Sequence, residues 1–124
     1  MKKLWCWRCR MVLPMLEDDE WAVLMEAHAA KGDPAEALAI LRREAMRRGL
    51  PAPRPAPPEV TAIRRWLWHL TAGYEMFTGM EETVANAVWH HRVSLHGPPC
   101  PACGKPLRTP KAKLCAACGW GMSA

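Results

Sequence analysis

Residues 17–50 carry apolar and polar positions with the period of an α-helix, in two successive runs. The first run opens on acidic residues, which favour the N-terminal end of a helix dipole, and it ends at Gly32. Asp33 followed by Pro34 is typical of the cap and the first residue of a second helix, which Gly49 ends. The pattern therefore predicts a helical hairpin.

A second helical region is expected after residues 51–58, where repeated prolines favour an extended connector. Beyond it, one face of a long helix collects Ile63, Trp66, Leu67, Leu70, Tyr74 and Phe77. A shorter helix after a break near Gly79 has a face made of Val84, Ala87, Val88, His91 and Leu95. Because Gly97 and Pro98 stop this pattern, we expect a pair of helices over residues 59–97.

The composition is that of a folded protein, since half of the 124 residues are apolar. The basic N-terminus is interrupted by arginine and cysteine, so it does not resemble a signal peptide. No apolar run reaches the roughly 18 residues that a membrane-spanning helix needs. We therefore expect a soluble, cytoplasmic protein without a membrane partner, in which six cysteines indicate metal binding more than disulfides.

Four of the cysteines form two Cys-x-x-Cys pairs near the C-terminus, Cys100 with Cys103 and Cys115 with Cys118. Zinc takes four ligands at tetrahedral corners, and one Cys-x-x-Cys turn supplies two of them. A glycine follows each pair, at a position where the turn favours a residue that tolerates positive φ. The motif predicts a structural four-cysteine Zn²⁺ site, with free thiols or an iron centre as the alternatives.

The pairs CPAC and CAAC, each followed by glycine and separated by a spacer of eleven residues, resemble the zinc-ribbon class over about the last 25 residues. The spacer is shorter than the roughly 15–20 residues of the common pattern, so only a small strand hairpin is expected. The resemblance implies a ribbon of short β-strands around the metal. It does not assign an activity, because ribbons include nucleic-acid binders, protein-interaction modules and structural elements.

The third pair, Cys6 and Cys9, lies between tryptophans near the N-terminus. A redox role would require a preceding strand and a helix starting at the first cysteine, which the sequence does not favour. Half of a second zinc site is a better interpretation, with His91 or His90 completing it. One ion is thus expected and two are possible. Unmetallated thiols, or an exchange of this pair with one ribbon pair, remain the alternatives.

These patterns predict a mainly α fold of about four helices with a small C-terminal zinc ribbon of short β-strands. One compact domain is expected, and its successive parts are an N-terminal Cys-x-x-Cys knuckle (1–16), a helical hairpin (17–50), a Pro-rich connector (51–58), a helical pair (59–97) and the zinc ribbon (98–124).

The sequence predicts no enzyme, because four thiolates close a zinc site and the known catalytic motifs are missing from it. We expect a protein-interaction module, an adaptor or an inhibitor of the immunity-protein kind, with a protein partner. The alternative is a nucleic-acid-binding ribbon, because the formal charge is +5 and the C-terminal segment is basic. The candidate contact residues are Lys105, Arg108, Lys111, Lys113 and Trp120.

Overall fold

A computed structural model of the chain describes residues 2–116 and 118–121. The chain begins with a β-hairpin in which β1 (Lys2–Cys6) pairs antiparallel with β2 (Met11–Met15). The register sets Cys6 opposite Met11, so the Cys-x-x-Cys segment forms the turn of the hairpin. This two-stranded sheet is a feature that the helical patterns did not predict.

The two helices expected between residues 17 and 50 are present, α1 at Asp18–Ala29 and α2 at Pro34–Arg48. A capping box formed by Glu17 and Glu20 begins α1. Asp33 caps α2 by accepting a hydrogen bond from the Glu36 N–H at 3.3 Å, and Gly49 ends it in the left-handed region. The predictions for the start and end of α2 are confirmed.

The long helix expected after the connector is divided in two, with α3 at Ala62–Trp66 and α4 at Trp68–Thr78. Leu67, with φ −103° and ψ 12°, separates them. The buried Trp68 indole donates to the Arg54 carbonyl at 2.6 Å, while Trp66 remains 42% exposed. The predicted continuous apolar face is therefore wrong for α3, because the chain turns at Leu67 and leaves the apolar residues of α3 outside the core.

The last helix, α5, is only four residues long (Ala85–Val88), and a 3₁₀ turn follows at Val93–Leu95. The described residues thus contain five α-helices, not the four predicted, and one small sheet at the N-terminus. The described part of residues 98–121 contains turns and one β-bridge, between Pro99 and Pro106, but none of the expected ribbon strands. Prolines lack the N–H that extends a ladder, which accounts for the single bridge.

The main core lies where α1, α2 and α4 pack together. Hydrogen bonds attach the hairpin and the residue after it to the rest of the fold: the buried Tyr74 hydroxyl donates to the Pro14 carbonyl at 2.6 Å, the Leu16 N–H donates to the His91 carbonyl at 2.7 Å, and the Val93 N–H donates to the Leu16 carbonyl at 2.9 Å. Residues distant in sequence therefore meet beside the turn of the hairpin. Among the helices that the structure describes, none is long and apolar enough to cross a membrane.

Candidate metal centres

The four C-terminal cysteines converge on one point, because their sulfur atoms all lie within 4.8 Å of one another. The Cys100 and Cys118 sulfurs are 3.7 Å apart, and so are those of Cys103 and Cys115. Four sulfurs at tetrahedral corners about 2.3 Å from a zinc ion would lie about 3.8 Å from one another. The site therefore has the dimensions of a tetrathiolate metal site.

The two cysteine pairs are presented by the same backbone turn. The N–H of Gly104 donates to the Cys100 carbonyl at 2.9 Å, and the N–H of Gly119 donates to the Cys115 carbonyl at 2.8 Å. Both glycines have positive φ, 80° and 84°, where a side chain would be strained, as the sequence predicted. The turn leaves N–H groups near sulfur, and the Ala102 N–H lies 3.4 Å from the Cys100 sulfur.

The four thiols lie so close together that ionising all of them without a bound cation would be unfavourable. Burial opposes ionisation of Cys100, but hydrogen bonds from the N–H groups of Cys103 and Ala102 lower its pKa to about 7. At Cys118 a hydrogen bond from the Trp120 N–H lowers the pKa. Burial and the neighbouring thiols outweigh it and raise the pKa of Cys118 to about 12. Four thiolates this close repel one another, and a divalent cation would remove that penalty.

The centre is anchored to the body of the protein on one side. Cys100 and Cys115 are buried with Leu107 and contact Trp7 from the N-terminal hairpin, whereas Cys103 and Cys118 face solvent. The Gly97 N–H donates to the Leu107 carbonyl at 2.7 Å. The N-terminal hairpin and the C-terminal cysteine segment thus pack against each other.

A second group of metal-ligating atoms consists of Cys6, Cys9 and His91, whose ligand atoms also lie within 4.8 Å of one another. The Cys9 sulfur is 3.3 Å from His91 Nε2. Cys6 and His91 are buried, and Nδ1 of His91 has no hydrogen-bond partner among the described residues. Burial, the Cys6 thiol and the charge of Glu82 raise the pKa of Cys9 to about 11, an effect that a bound cation would reverse.

His90, the other candidate of the sequence analysis, does not join this group within the described residues. It lines a cavity of about 210 Å³ between the hairpin and the C-terminal segment, together with Arg8, His96 and Arg108. Burial is the main cause that lowers the pKa of His90. His91 is thus grouped with the two cysteines, whereas His90 lines a basic cavity that Cys6 also borders.

The predicted contact residues of the C-terminal segment are placed differently from one another. Lys105 is half-buried, with its Nζ 3.9 Å from the centre of the Trp5 ring, so its charge interacts within the chain. The remaining cations are exposed, and Trp120 is 38% exposed. These exposed residues are Arg108, Lys111 and Lys113.

Sequence reasoning missed a pair of histidines in the core. Nδ1 of His28 lies 2.9 Å from Nε2 of His69, and the His28 ring packs edge-on against Trp89. Burial and the His28 charge lower the pKa of the buried His69 to about 4. The signal for this pair was weak, because His28 shares the apolar face of α1 but His69 lies 41 residues away along the chain.

Comparison of the chain with protein-family models, with curated proteins and with solved structures gave no match.

Proposed function

We propose that the four C-terminal cysteines bind one Zn²⁺ ion in a zinc-ribbon-like centre and that this ion has a structural role. The observation that carries the proposal is the pair of 3.7 Å sulfur–sulfur distances, which fit four thiolates around one zinc ion. Zinc is favoured over other metals because tetrahedral thiolate sites suit it and it has no redox chemistry of its own. An iron centre is the alternative, and metal analysis would distinguish the two.

A catalytic role is not proposed for this centre. Four thiolates occupy every corner of the tetrahedron, so no position is open for water or substrate. The ion would instead join the two turns, which share little apolar packing of their own, and hold them against Trp7 and Leu107. Such a site requires reduced thiols, which accords with the cytoplasmic location that the sequence led us to expect.

Native mass spectrometry of the zinc-loaded protein tests this proposal by counting ions per chain. We expect Cys103→Ser to lose one ion, because a hydroxyl is a poor replacement for a thiolate. Cys103→His is the matched control, since imidazole can ligate zinc and should retain that ion with weaker affinity. Equal zinc content in the wild type and the serine variant, or iron in place of zinc, would contradict the proposal.

We further propose that the protein acts as an interaction module for a protein partner. The supporting observation is an exposed groove of about 230 Å³ between α3 and the start of α5. Its apolar lining includes Ile63, Leu67 and Val84, and polar residues, Arg64, Thr83 and Asn86, border it. Ile63 is 60% exposed and Val84 is 55% exposed, which is unusual for two large apolar side chains on one groove. A partner helix or loop would bury them.

Purification from the native source tests the interaction by asking for one stoichiometric partner. Ile63→Asp should abolish that complex, because a carboxylate would be buried in the apolar groove. Met46→Asp is the matched control: Met46 is 84% exposed on α2 and does not line the groove. If both variants retain the partner, or if both lose it, the groove is not the interface.

Nucleic-acid binding is a second candidate, favoured by the three exposed cations of the C-terminal segment beside the exposed Trp120. If Arg108, Lys111 and Lys113 contact phosphates, the logarithm of affinity should fall with the logarithm of salt with a slope of about −2 to −3. Fluorescence anisotropy with a labelled single strand measures that slope. A complete lack of binding at low salt would exclude this candidate.

A further inference from the structure

We infer that Cys6, Cys9 and Nε2 of His91 hold a second Zn²⁺ ion, whose fourth coordination position is taken by a ligand from outside the chain. This inference goes beyond the proposed structural centre and does not depend on it, because the two groups of ligands share no residue.

The first argument is that the N-terminal pair adopts the same backbone turn as the two C-terminal pairs. The Arg10 N–H donates to the Cys6 carbonyl at 2.7 Å, four residues apart, as Gly104 does to Cys100. In each turn the first cysteine of the pair also lies opposite the residue five positions later. Cys6 is opposite Met11 in the strand register, and the Cys100 N–H donates to the Lys105 carbonyl at 2.7 Å. Three turns of one geometry thus present three pairs of thiols.

Backbone strain marks the N-terminal turn as well. Arg10 has φ 54° and is the one described non-glycine residue with positive φ. Its position corresponds to Gly104 and Gly119, which have the same sign of φ. An arginine in the left-handed region costs of order 1 kcal/mol, so the surrounding structure must favour this turn over a relaxed one.

The third ligand is placed at coordinating distance by a separate part of the fold. A zinc ion about 2.3 Å from sulfur and about 2.05 Å from nitrogen, with tetrahedral angles, separates those two atoms by about 3.6 Å. The observed distance between the Cys9 sulfur and His91 Nε2 is 3.3 Å. The main chain of His91 is fixed by the hydrogen bond from Leu16 to its carbonyl, so the backbone that carries the imidazole is held beside the two cysteines.

The fourth position is open as far as the described residues go, because no fourth cysteine, histidine or carboxylate joins the group. Glu82 is near enough for its charge to affect Cys9 and His91. However, its Oε1 accepts hydrogen bonds from the N–H groups of Thr83 and Val84, each at 3.0 Å. Cys9 faces solvent, so water or a small ligand can reach the metal at this side.

Two thiolates, one imidazole and one exchangeable position define a different kind of zinc site from the closed C-terminal centre. The neutral imidazole and two thiolates leave the ion with Lewis acidity toward a bound water or an incoming donor. In the purified protein we assign the fourth position to water. A donor group from a partner protein could replace it.

Counting ions by native mass spectrometry tests the second site. The wild type should carry two zinc ions, and Cys9→Ser and His91→Ala should each carry one. His90→Ala is the matched control, since the neighbouring imidazole faces the basic cavity, and it should retain two. One ion in the wild type that is lost on Cys103→Ser would overturn this inference and leave the proposed C-terminal centre intact.

The open position is tested by a spectroscopic readout on the wild type, with Cys9→Ser as the comparison. Cobalt(II) replaces zinc, and free imidazole is added as the probe ligand. We expect the visible cobalt spectrum of the wild type to change with imidazole and that of Cys9→Ser, which retains only the closed centre, to stay constant. Two bound cobalt ions whose spectrum ignores imidazole would show a closed second site and overturn the open position.

Discussion

The substitution Cys9→Ser is the most informative perturbation of the N-terminal site, because Cys9 is an exposed residue and serine is close to cysteine in size. Without metal, such a surface replacement should change the free energy of unfolding by less than about 0.5 kcal/mol. With metal, it removes one of three protein ligands and so should release the ion. The difference between the two conditions isolates the contribution of that ion.

The size of this contribution follows from the separation of the ligands in sequence. Cys9 and His91 are 82 residues apart, and a cross-link closing a loop of that length restricts the unfolded chain by about 4.5 kcal/mol in the chain-entropy description. Any zinc bound by the Cys6–Cys9 pair in the unfolded chain would offset part of that gain. We therefore expect Cys9→Ser to lower the free energy of unfolding by about 2–4 kcal/mol when zinc is present.

Urea unfolding followed by tryptophan fluorescence measures this loss, with the wild type and the variant compared in excess zinc and again in chelator. A loss of this size corresponds to a fall of about 8–16 °C in the melting temperature, at about 4 °C per kcal/mol. The closed C-terminal centre is present or absent equally in both proteins, so its contribution cancels. A loss that is the same with and without zinc would refute the reasoning.

Three further predictions concern the turn, the core and the histidine pair. Arg10→Gly should raise the free energy of unfolding by about 1 kcal/mol by relieving positive φ, and Gly104→Ala should lower it by a similar amount; urea unfolding measures both. Tyr74→Phe should cost about 1–3 kcal/mol in the same assay, because the buried Pro14 carbonyl loses its donor, and an unchanged midpoint would contradict that hydrogen bond. The pKa of His69 is about 4 in the folded state against 6.5 in the reference, so the unfolded state takes up the proton first as the pH falls. The free energy of unfolding therefore has its full value above pH 6.5 and falls by at most about 3 kcal/mol as the pH drops toward 4. His69→Asn should lose less stability than the wild type between pH 7 and pH 5, because the variant lacks the buried imidazole that titrates. Zinc release on acidification affects both proteins alike, so it cancels in the comparison.

The sequence predicted the parts of the fold that depend on local signals. Asp33 and Gly49 bound α2 because capping and positive φ are properties of single residues and their neighbours. The turn geometry at Gly104 and Gly119 follows from the Cys-x-x-Cys-Gly pattern for the same reason. The convergence of the four cysteines could be inferred because their spacing is short.

The errors arose where tertiary contacts decided the outcome. The periodicity from Ile63 to Phe77 suits one long helix, but the indole of Trp68 is held by a carbonyl of the proline connector and α3 lies outside the core. The ribbon strands were expected from resemblance to a class, while the prolines of the spacer limit pairing to one bridge. Nothing in the local sequence shows that His91 and not His90 lies beside the cysteines. That placement depends on tertiary contact with the hairpin, 82 residues earlier in the chain.

The long sequence separation within the N-terminal group also sets an order of events during synthesis. The thiols of Cys6 and Cys9 leave the ribosome when His91 has not yet been translated, and at roughly 5–20 residues per second the interval lasts several seconds. Throughout that time the pair is a bare dithiol, open to oxidants and to scavenged metals. The C-terminal cysteines are only 12 to 18 residues from their partners, so at the same rate their delay is about one fifth as long. Newly made chains would therefore be vulnerable chiefly at their first hairpin, and the supply of zinc and reductant during translation would govern the yield of correctly metallated protein.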